Sequence, residues 1–194
     1  MSLTDSLVDN QAGTVRDRLI EAADLELAEY GSLTGRFEAV ARRAGVSRAT
    51  AYRQLGSVAE LSTQVGLRRA QKYLDGMRDA MDREDDALAK VEVAMTFAAR
   101  ELPNEPIVLA LISRPGSVVD PEVHQIATDL MSSALLEGQR SGQIRADIDL
   151  ELIIEYLFEQ SYLATHAIDR SARAVSRRFR LFIEPVIAPK ASSR

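Results

Sequence analysis

The chain has 194 residues, of which 46% are hydrophobic and 27% charged; this composition is typical of a folded globular protein and excludes a disordered or fibrous one. It contains no cysteine, which excludes disulfides, thiolate metal sites and a cysteine nucleophile. The formal net charge is -5, whereas domains that bind nucleic acid are usually basic, so a surface for nucleic acid requires a local cluster of positive charge.

The residue composition predicts an all-α protein without a membrane segment. Aromatic residues make up only 5% of the chain, and the frequent residues Ala, Leu, Glu and Arg favour helices. Residues 1–14 lack the features of a secretory signal, and no apolar stretch reaches the roughly 18 residues that a membrane-spanning helix needs. We therefore expect a cytoplasmic protein that has no membrane partner.

Apolar residues at three- and four-residue spacing predict about nine helices. In chain order these cover residues 15–30, 36–44, 48–55, 58–81 and 87–101, a short segment around Leu109, a helix that begins at Pro121, and residues 150–168 and 172–186. Breaks are expected at Pro103 and Pro106, a loop at residues 114–116, and a cap at Asp120.

Polar residues at fixed offsets mark several helix ends. Thr14 with Asp17 forms a capping pair for the first helix. Ser57 with Glu60 forms a capping box for the fourth helix, and the charged residues 82–86 are expected to end that helix.

The most basic short window outside the C-terminal helix is residues 36–53, with five arginines and one glutamate. A short helix, a turn at Gly45 and a second helix capped by Ser47 make a helix-turn-helix arrangement there. The second helix of such a motif inserts its N-terminal half into the major groove of DNA. The side chains able to reach base edges are then Arg48, Ala49, Thr50 and Arg53, with Arg48 and Arg53 predicted to read bases.

The same window resembles the N-terminal signature of the TetR family of transcriptional regulators. Residues 44–52 read AGVSRATAY, which fits the family pattern AGVSxxTxY. The resemblance covers residues 15–61 at the level of motifs, and beyond them only the helical layout and residues 141–145. It implies an N-terminal three-helix helix-turn-helix DNA-binding domain and a C-terminal helical domain for ligand binding and dimerisation. It also implies that Ser47, Thr50 and Tyr52 contact phosphates.

Three positions depart from the family pattern. Val58 replaces a common lysine at the start of the fourth helix, and Leu55 replaces an aromatic residue after the recognition tyrosine. Arg36 stands where the family often has threonine or serine. We therefore count Arg36 among the predicted DNA contacts, as a phosphate contact that has moved.

The predicted domains are a disordered tail over residues 1–13, a DNA-binding domain over 14–57, an effector-binding and dimerisation domain over 58–188, and a tail over 189–194.

A single helix-turn-helix makes too few base contacts to select one site, so we expect a homodimer on palindromic double-stranded operator DNA. The predicted dimer interface lies on the last two helices, at Leu150, Ile153, Ile154, Leu157, Ala164, Val175, Phe179, Phe182 and Val186. The alternative is that the helix over 150–168 is central in its own domain.

The resemblance implies a ligand cavity within residues 87–168 whose occupation changes DNA affinity. Polar residues inside apolar runs are the candidates to orient the effector, and these are Arg100, His124, Gln160, Tyr162 and His166. The surrounding Leu, Ile, Val, Met and Phe predict a largely apolar small molecule. We expect neither a cofactor nor a metal site.

The resemblance to TetR regulators implies a ligand-responsive regulator, and repression is the usual role in that family. An enzyme has little support, because the two histidines are far apart in sequence and no nucleophile motif or phosphate-binding glycine loop is present. A helical dimer that binds DNA constitutively, or uses the helix-turn-helix for protein contact, is the main alternative. Exposure of both Arg48 and Arg53 on one face favours DNA, whereas pairing of both with internal acids favours protein contact.

Overall fold

The computed structural model describes residues 13–113 and 121–190, and within these ranges the chain is helical and has no strand. The α-helices are α1 (Val15–Tyr30), α2 (Phe37–Arg43), α3 (Arg48–Leu55), α4 (Val58–Met81), α5 (Ala87–Glu101), α6 (Pro106–Ile112), α7 (Pro121–Ser141), α8 (Leu150–Thr165), α9 (Ala172–Arg178) and α10 (Glu184–Ile187). A 3₁₀ turn, Leu102–Asn104, lies between α5 and α6, and a π turn, Phe179–Ile183, joins α9 to α10. Since α9, the π turn and α10 are continuous, the described residues contain the nine helices and the all-α fold that the sequence predicts.

Several expectations fall outside the described residues: the tails over 1–12 and 191–194, the loop at 114–116 and the cap at Asp120. Within the described residues, no helix is long and apolar enough to cross a membrane.

Local capping explains where the first helices begin. The Thr14 hydroxyl accepts a hydrogen bond from the Asp17 amide, and the Asp17 carboxylate accepts one from the Thr14 amide, so the predicted capping box is confirmed. The Ser57 hydroxyl likewise accepts from the Glu60 amide at 3.0 Å. The return bond of that second box is missing, because the Ser57 amide donates to the Leu55 carbonyl. The Glu60 carboxylate pairs with Arg16 instead.

The chain forms two compact units, one that ends at Arg68 and one that begins at Arg69. The division lies inside α4, further along the chain than the predicted boundary after residue 57. In the first unit α1, α2 and α3 pack against one another. Its buried apolar residues are Leu19, Ala22, Ala23, Leu33, Phe37, Val40, Ala41, Ala44, Ala51, Leu55, Leu61 and Val65.

The second unit is a helical bundle in which α5 packs against α7, α8 and α9. Gly138 lies where α7 passes close to its neighbours. A Cβ at Gly138 would lie 2.5 Å from Cγ1 of Ile144 and 2.7 Å from Cβ of Ala87. The close approach therefore depends on the absence of a side chain at residue 138.

Hydrogen bonds from Arg145 tie the segment between α7 and α8 to the C-terminal helix. The Arg145 guanidinium donates to both Asp147 carboxylate oxygens, at 2.7 and 2.6 Å, and to the Val186 carbonyl at 3.1 Å. The Arg145 amide also donates to the Ile187 carbonyl. The hydrogen bonds from Arg145 lower the pKa of Asp147 from 3.8 to about 2.

The C-terminal helix separates residues that the sequence places together in the dimer interface. Of the predicted interface residues on this helix, Val175 and Phe179 are buried, whereas Phe182 and Val186 are exposed. The buried positions are Val175, Phe179, Ile183 and Ile187. The π turn over Phe179–Ile183 lies within this stretch, and the buried positions follow at intervals of four.

Candidate functional site

The turn between α2 and α3 is built by Gly45. Its φ is 69°, a left-handed conformation in which a side chain is strained. The Gly45 amide donates to the Arg42 carbonyl, and the Val46 amide donates to the Ala41 carbonyl at 3.0 Å. These bonds end α2 and set the direction in which α3 leaves the turn.

The orientation of α3 about its own axis is set by its cap and by two buried residues. The Ser47 hydroxyl accepts from the Thr50 amide at 3.1 Å, which confirms the predicted cap. Ala51 and Leu55 are buried on one side of α3. At the other end, the Arg16 guanidinium of α1 donates to the Gln54 carbonyl at 2.9 Å. The opposite side of α3 therefore faces outward in a defined register.

The outward side of α3 carries most of the predicted DNA-contact residues. Ser47, Arg48, Ala49, Tyr52 and Arg53 are exposed, and Thr50 is half-buried. Because residues one turn apart lie on the same helix side, Arg48 and Ala49 lie beside Tyr52 and Arg53. The Tyr52 ring stacks on Phe37 with 4.2 Å between ring centroids, and the Arg48 guanidinium lies 5.5 Å from the Tyr52 ring centroid.

Neither Arg48 nor Arg53 forms an ion pair in the part of the chain that the structure describes. Arg53 approaches the Thr50 hydroxyl at 3.5 Å, and Arg48 interacts with the Tyr52 hydroxyl, which raises the pKa of Arg48. Both guanidinium groups are therefore exposed, and the exposed residues Tyr52 and Ala49 lie between them on the outward surface of α3.

Arg36 and Arg43 are placed differently, because both are held by a buried carboxylate that sequence reasoning missed. Glu26 of α1 is only 3% exposed and accepts from Nε of Arg36 and Nε of Arg43, each at 2.8 Å. The Arg36 guanidinium also lies over the Tyr30 ring, 3.3 Å from its centroid. Its placement does not support the expectation that Arg36 replaces a phosphate contact of the family.

The sequence of α1 indicates that Glu26 lies on the buried side of the helix. Glu26 follows Leu19, Ala22 and Ala23 at helical spacing, on the side that is otherwise apolar. A carboxylate at such a position needs a buried partner, and the arginines of the following helix supply two. Glu29 reinforces the cluster, since hydrogen bonds from Tyr30 and Arg43 lower its pKa.

The second unit contains a cavity of about 120 Å³. Its described lining comes from α4 to α8 and the 3₁₀ turn, and comprises Ala70, Tyr73, Leu74, Met77, Val91, Ala94, Met95, Ala98, Leu102, Val108, Leu111, Ile112, Val123, Ile126, Ala127, Leu130, Met131, Ile154, Leu157, Phe158, Ser161 and Tyr162. None of these residues is charged.

Of the five polar residues expected to orient an effector, only Tyr162 lines this cavity. His124 lies beside it, in a shallow depression, with its Nε2 3.5 Å from a Glu151 carboxylate oxygen. Gln160 lies in a separate groove with Leu163 and Phe182. Arg100 and His166 are exposed and line no part of the cavity. The apolar runs in the sequence do not show which side of each helix faces the cavity.

Most residues of the expected dimer interface are buried within the chain itself. Ile153, Ile154, Leu157, Ala164, Val175 and Phe179 belong to the core of the second unit. The four of these residues on α8 fit the alternative that this helix is central in its own domain. All six are buried within the chain, which leaves them no surface for a partner. Leu150 is half-buried, and Phe182 and Val186 are exposed.

A different set of large apolar side chains is exposed on α8 and the C-terminal helix. We call these the apolar face: Leu152, Leu163, Leu181, Phe182 and Val186. They are neighbours across the two helices, because Leu152 and Val186 share one groove and Leu163 and Phe182 share another. The Tyr156 hydroxyl, which lies 3.4 Å from the Phe182 carbonyl, joins the helices between them.

Comparison with known proteins identifies the fold. No protein-family model matches the sequence, and no curated protein is significantly similar to it. Solved structures do match: RolR in complex with resorcinol has a TM-score of 0.63 at 18% identity, over 84% of this chain and 86% of that one. The TetR-family transcriptional repressor QsdR of R. erythropolis has a TM-score of 0.62 at 18% identity, over 91% and 97%. FadR of Bacillus subtilis in complex with stearoyl-CoA has a TM-score of 0.58 at 17% identity, over 83% and 95%. The chain has the fold of the TetR-family transcriptional regulators.

Proposed function

We propose that the protein is a ligand-responsive transcriptional regulator that binds operator DNA through α3. The observation that carries this proposal is the outward side of α3, where Arg48 and Arg53 are exposed and free of ion pairs within the described residues. A guanidinium presents a planar pair of donors that matches the acceptors on the major-groove edge of guanine. The helix-turn-helix geometry delivers such a side to the groove.

The roles within the site follow from the position of each side chain. Arg48 and Arg53 read bases, and Ala49 lies between them on the same side, where a small side chain permits close approach. Ser47, Thr50 and Tyr52 surround the N-terminal end of α3, whose exposed amides and positive dipole suit phosphate. Because Glu26 already holds Arg36, we assign Arg36 to the ordering of α2 and not to DNA.

We further propose that the regulator is a homodimer built on the apolar face. Side chains of this size are rarely exposed as neighbours on a monomer, and a patch that spans two helices is typical of an interface. A dimer also presents two copies of α3 to two half-sites, which the base contacts of one copy cannot replace.

Ligand binding in the cavity of the second unit would supply the regulation. The α4 helix contributes residues to both units, Ala70 and Tyr73 among the cavity lining and Leu61 and Val65 among the buried residues of the first unit. A ligand that favours one conformation of the second unit would thereby change DNA affinity, and repression with release by the ligand is the expected direction. RolR and FadR were solved with chemically different ligands, resorcinol and stearoyl-CoA, so their fold does not decide the ligand class.

The competing use of the helix-turn-helix for protein contact is less favoured. That interpretation requires internal acids to hold Arg48 and Arg53, whereas the buried carboxylate in this unit holds Arg36 and Arg43. Constitutive DNA binding differs from the proposal only in the absence of a response to ligand.

The test is selection of bound fragments from a random DNA library by the purified full-length protein, followed by titration of the enriched site at two salt concentrations. We expect an imperfect palindrome and an affinity that falls steeply with salt, because phosphate contacts release counterions. The control is the double variant Arg48→Ala, Arg53→Ala, which should lose the enrichment but stay folded by circular dichroism. A wild-type protein that is folded and dimeric yet enriches no sequence, with the cavity empty or filled, would argue against the regulator.

A further inference from the structure

We propose that the cavity of the second unit selects an uncharged, predominantly apolar molecule of about the size of one substituted aromatic ring, with a single hydrogen-bonding group. This inference names the ligand class of the proposed regulator, and so rests on the proposed function. It is carried by three properties of the described lining: the absence of charged residues, the volume that it surrounds, and the two helices that carry its few hydroxyl groups.

The described lining offers no charged partner to an ionised ligand. Among the described residues that line the cavity there is no Lys, Arg, His, Asp or Glu. A carboxylate or phosphate moved from water into such surroundings loses its hydration and gains no counter-charge. Arg69 and Glu105 lie close in sequence to lining residues of α4 and α6. They form a salt bridge with each other, with 2.8 Å between Arg69 and a Glu105 carboxylate oxygen. A neutral molecule is the species that this lining accepts.

The volume limits the size. At about 120 Å³ the cavity is comparable to engineered apolar cavities of about 150 Å³, which stay dry and bind benzene. A long acyl chain exceeds this space. Three methionines, Met77, Met95 and Met131, line the cavity, and their unbranched side chains can shift to admit one or two small substituents on a ring.

The described lining has few side chains with a hydroxyl group, and these lie on α4 and α8. Side-chain oxygens in the described lining belong to Tyr73 on α4 and to Ser161 and Tyr162 on α8. The Tyr162 ring is held from outside by His166, with 4.5 Å between the ring centroids. One hydroxyl or carbonyl of the ligand can therefore be satisfied at the α4 and α8 side, while the rest of the ligand contacts hydrocarbon and thioether groups.

The experiment measures binding to the full-length protein in the absence of DNA, by thermal unfolding and calorimetric titration. The probes are 4-methylphenol, toluene, 4-methylbenzoate and octanoate. We expect 4-methylphenol to raise the midpoint of unfolding with increasing concentration. Toluene should bind about fivefold more weakly, because it lacks the hydrogen bond. The two anions should bind at least about a hundredfold more weakly.

Two variants test whether binding occurs in this cavity. Ala98→Leu adds three carbons to a lining position and should abolish the effect of 4-methylphenol. Ala110→Leu makes the same change at an exposed position of α6 that does not line the cavity and should leave the effect unchanged. If Ala98→Leu does not fold, Ala127→Leu, at a half-buried lining position of α7, replaces it.

Equal or tighter binding of 4-methylbenzoate would overturn the conclusion about charge, and tighter binding of octanoate would overturn the conclusion about size. Failure of every ring compound to bind the folded protein, or binding that Ala98→Leu and Ala127→Leu leave intact, would overturn the site. Because no DNA is present, these results are independent of the operator selection, and either proposal can fail alone.

Discussion

At the scale of single residues, Glu26 decides which arginines of the basic window are free. It accepts charge-assisted hydrogen bonds from Arg36 and Arg43, and these bonds link α1 to both ends of α2. Arg48 and Arg53 have no such acid in the described part of the chain. The basic window of the sequence is thus divided into a structural pair and an exposed pair.

The structural pair predicts a loss of stability when Glu26 is neutralised. Glu26→Gln keeps the side-chain volume but removes the charge from two hydrogen bonds, so the free energy of unfolding should fall by about 2 to 3 kcal/mol in urea titration. Glu29→Gln is the control, because Glu29 is exposed and its salt bridge to Arg43 is worth at most about 1 kcal/mol. Equal losses of unfolding free energy for the two variants would contradict the assignment of Glu26 as the carboxylate that holds Arg36 and Arg43.

The exposed pair predicts a loss of sequence specificity. Arg48→Ala and Arg53→Ala should each weaken operator binding by about 1 to 3 kcal/mol and relax one base position, with a smaller effect on random DNA. Tyr52→Phe keeps the stacking on Phe37 and loses only the hydroxyl, so it should weaken all sequences alike. Arg83→Ala, which removes an exposed cation of the second unit, serves as the control. If all three substitutions on α3 weaken operator and random DNA equally, the division into base and phosphate contacts is wrong.

At the scale of helices, the sequence was most informative where the determining interactions are local. Thr14, Gly45 and Ser47 act within four residues of themselves, so α1 and the helix-turn-helix could be predicted to within a residue or two. The buried side of the C-terminal helix could not, because the π turn changes the register after Phe179 and only packing shows it. The cavity lining was missed for a related reason: it is defined by which side of each of five helices faces inward.

Packing at the α7 crossing predicts the effect of a single methyl group. Gly138→Ala places a Cβ against Ile144 and the Cβ of Ala87, and such overpacking costs about 1 to 3 kcal/mol, even though alanine is the better helix former. Gly76→Ala in α4 is the matched control, since its new Cβ would meet only the far end of the Phe97 ring, which can move. Thermal unfolding should show a lower midpoint for Gly138→Ala alone. A higher midpoint for that variant would contradict the close approach.

The Arg145 salt bridge predicts a dependence of stability on acidity. The pKa of Asp147 is about 2 in the folded chain and 3.8 ordinarily, so its contribution is present above pH 3.8 and is lost as the pH falls through 2. Asp147→Asn should therefore be less stable than the wild type at neutral pH, and the difference should disappear toward pH 2. Urea titrations of both proteins at several pH values measure this difference. A difference that does not change with pH would assign the effect to packing.

At the scale of the whole molecule, the exposed apolar face of the second unit matters for DNA binding by the first unit. A regulator that reads a palindrome needs two copies of α3, and the apolar face is the described surface best suited to join two chains. The similarity in fold to known regulators does not show whether two chains associate. The mass of the protein in solution tests this directly.

We predict that the wild type has twice the 21.4 kDa mass of one chain in sedimentation equilibrium. Phe182→Glu, and independently Leu163→Glu, should shift the protein toward the single-chain mass, because each buries a charge at the centre of the interface. Leu25→Glu makes the same change at an exposed leucine of α1, outside the apolar face, and should remain dimeric. The monomeric variants should bind an isolated half-site as the wild type does, yet bind the full palindrome much more weakly, since only a dimer engages both halves at once. If Phe182→Glu and Leu163→Glu both stay dimeric, the interface lies elsewhere. Full affinity of a monomeric variant for the palindrome would show that operator binding does not need the dimer.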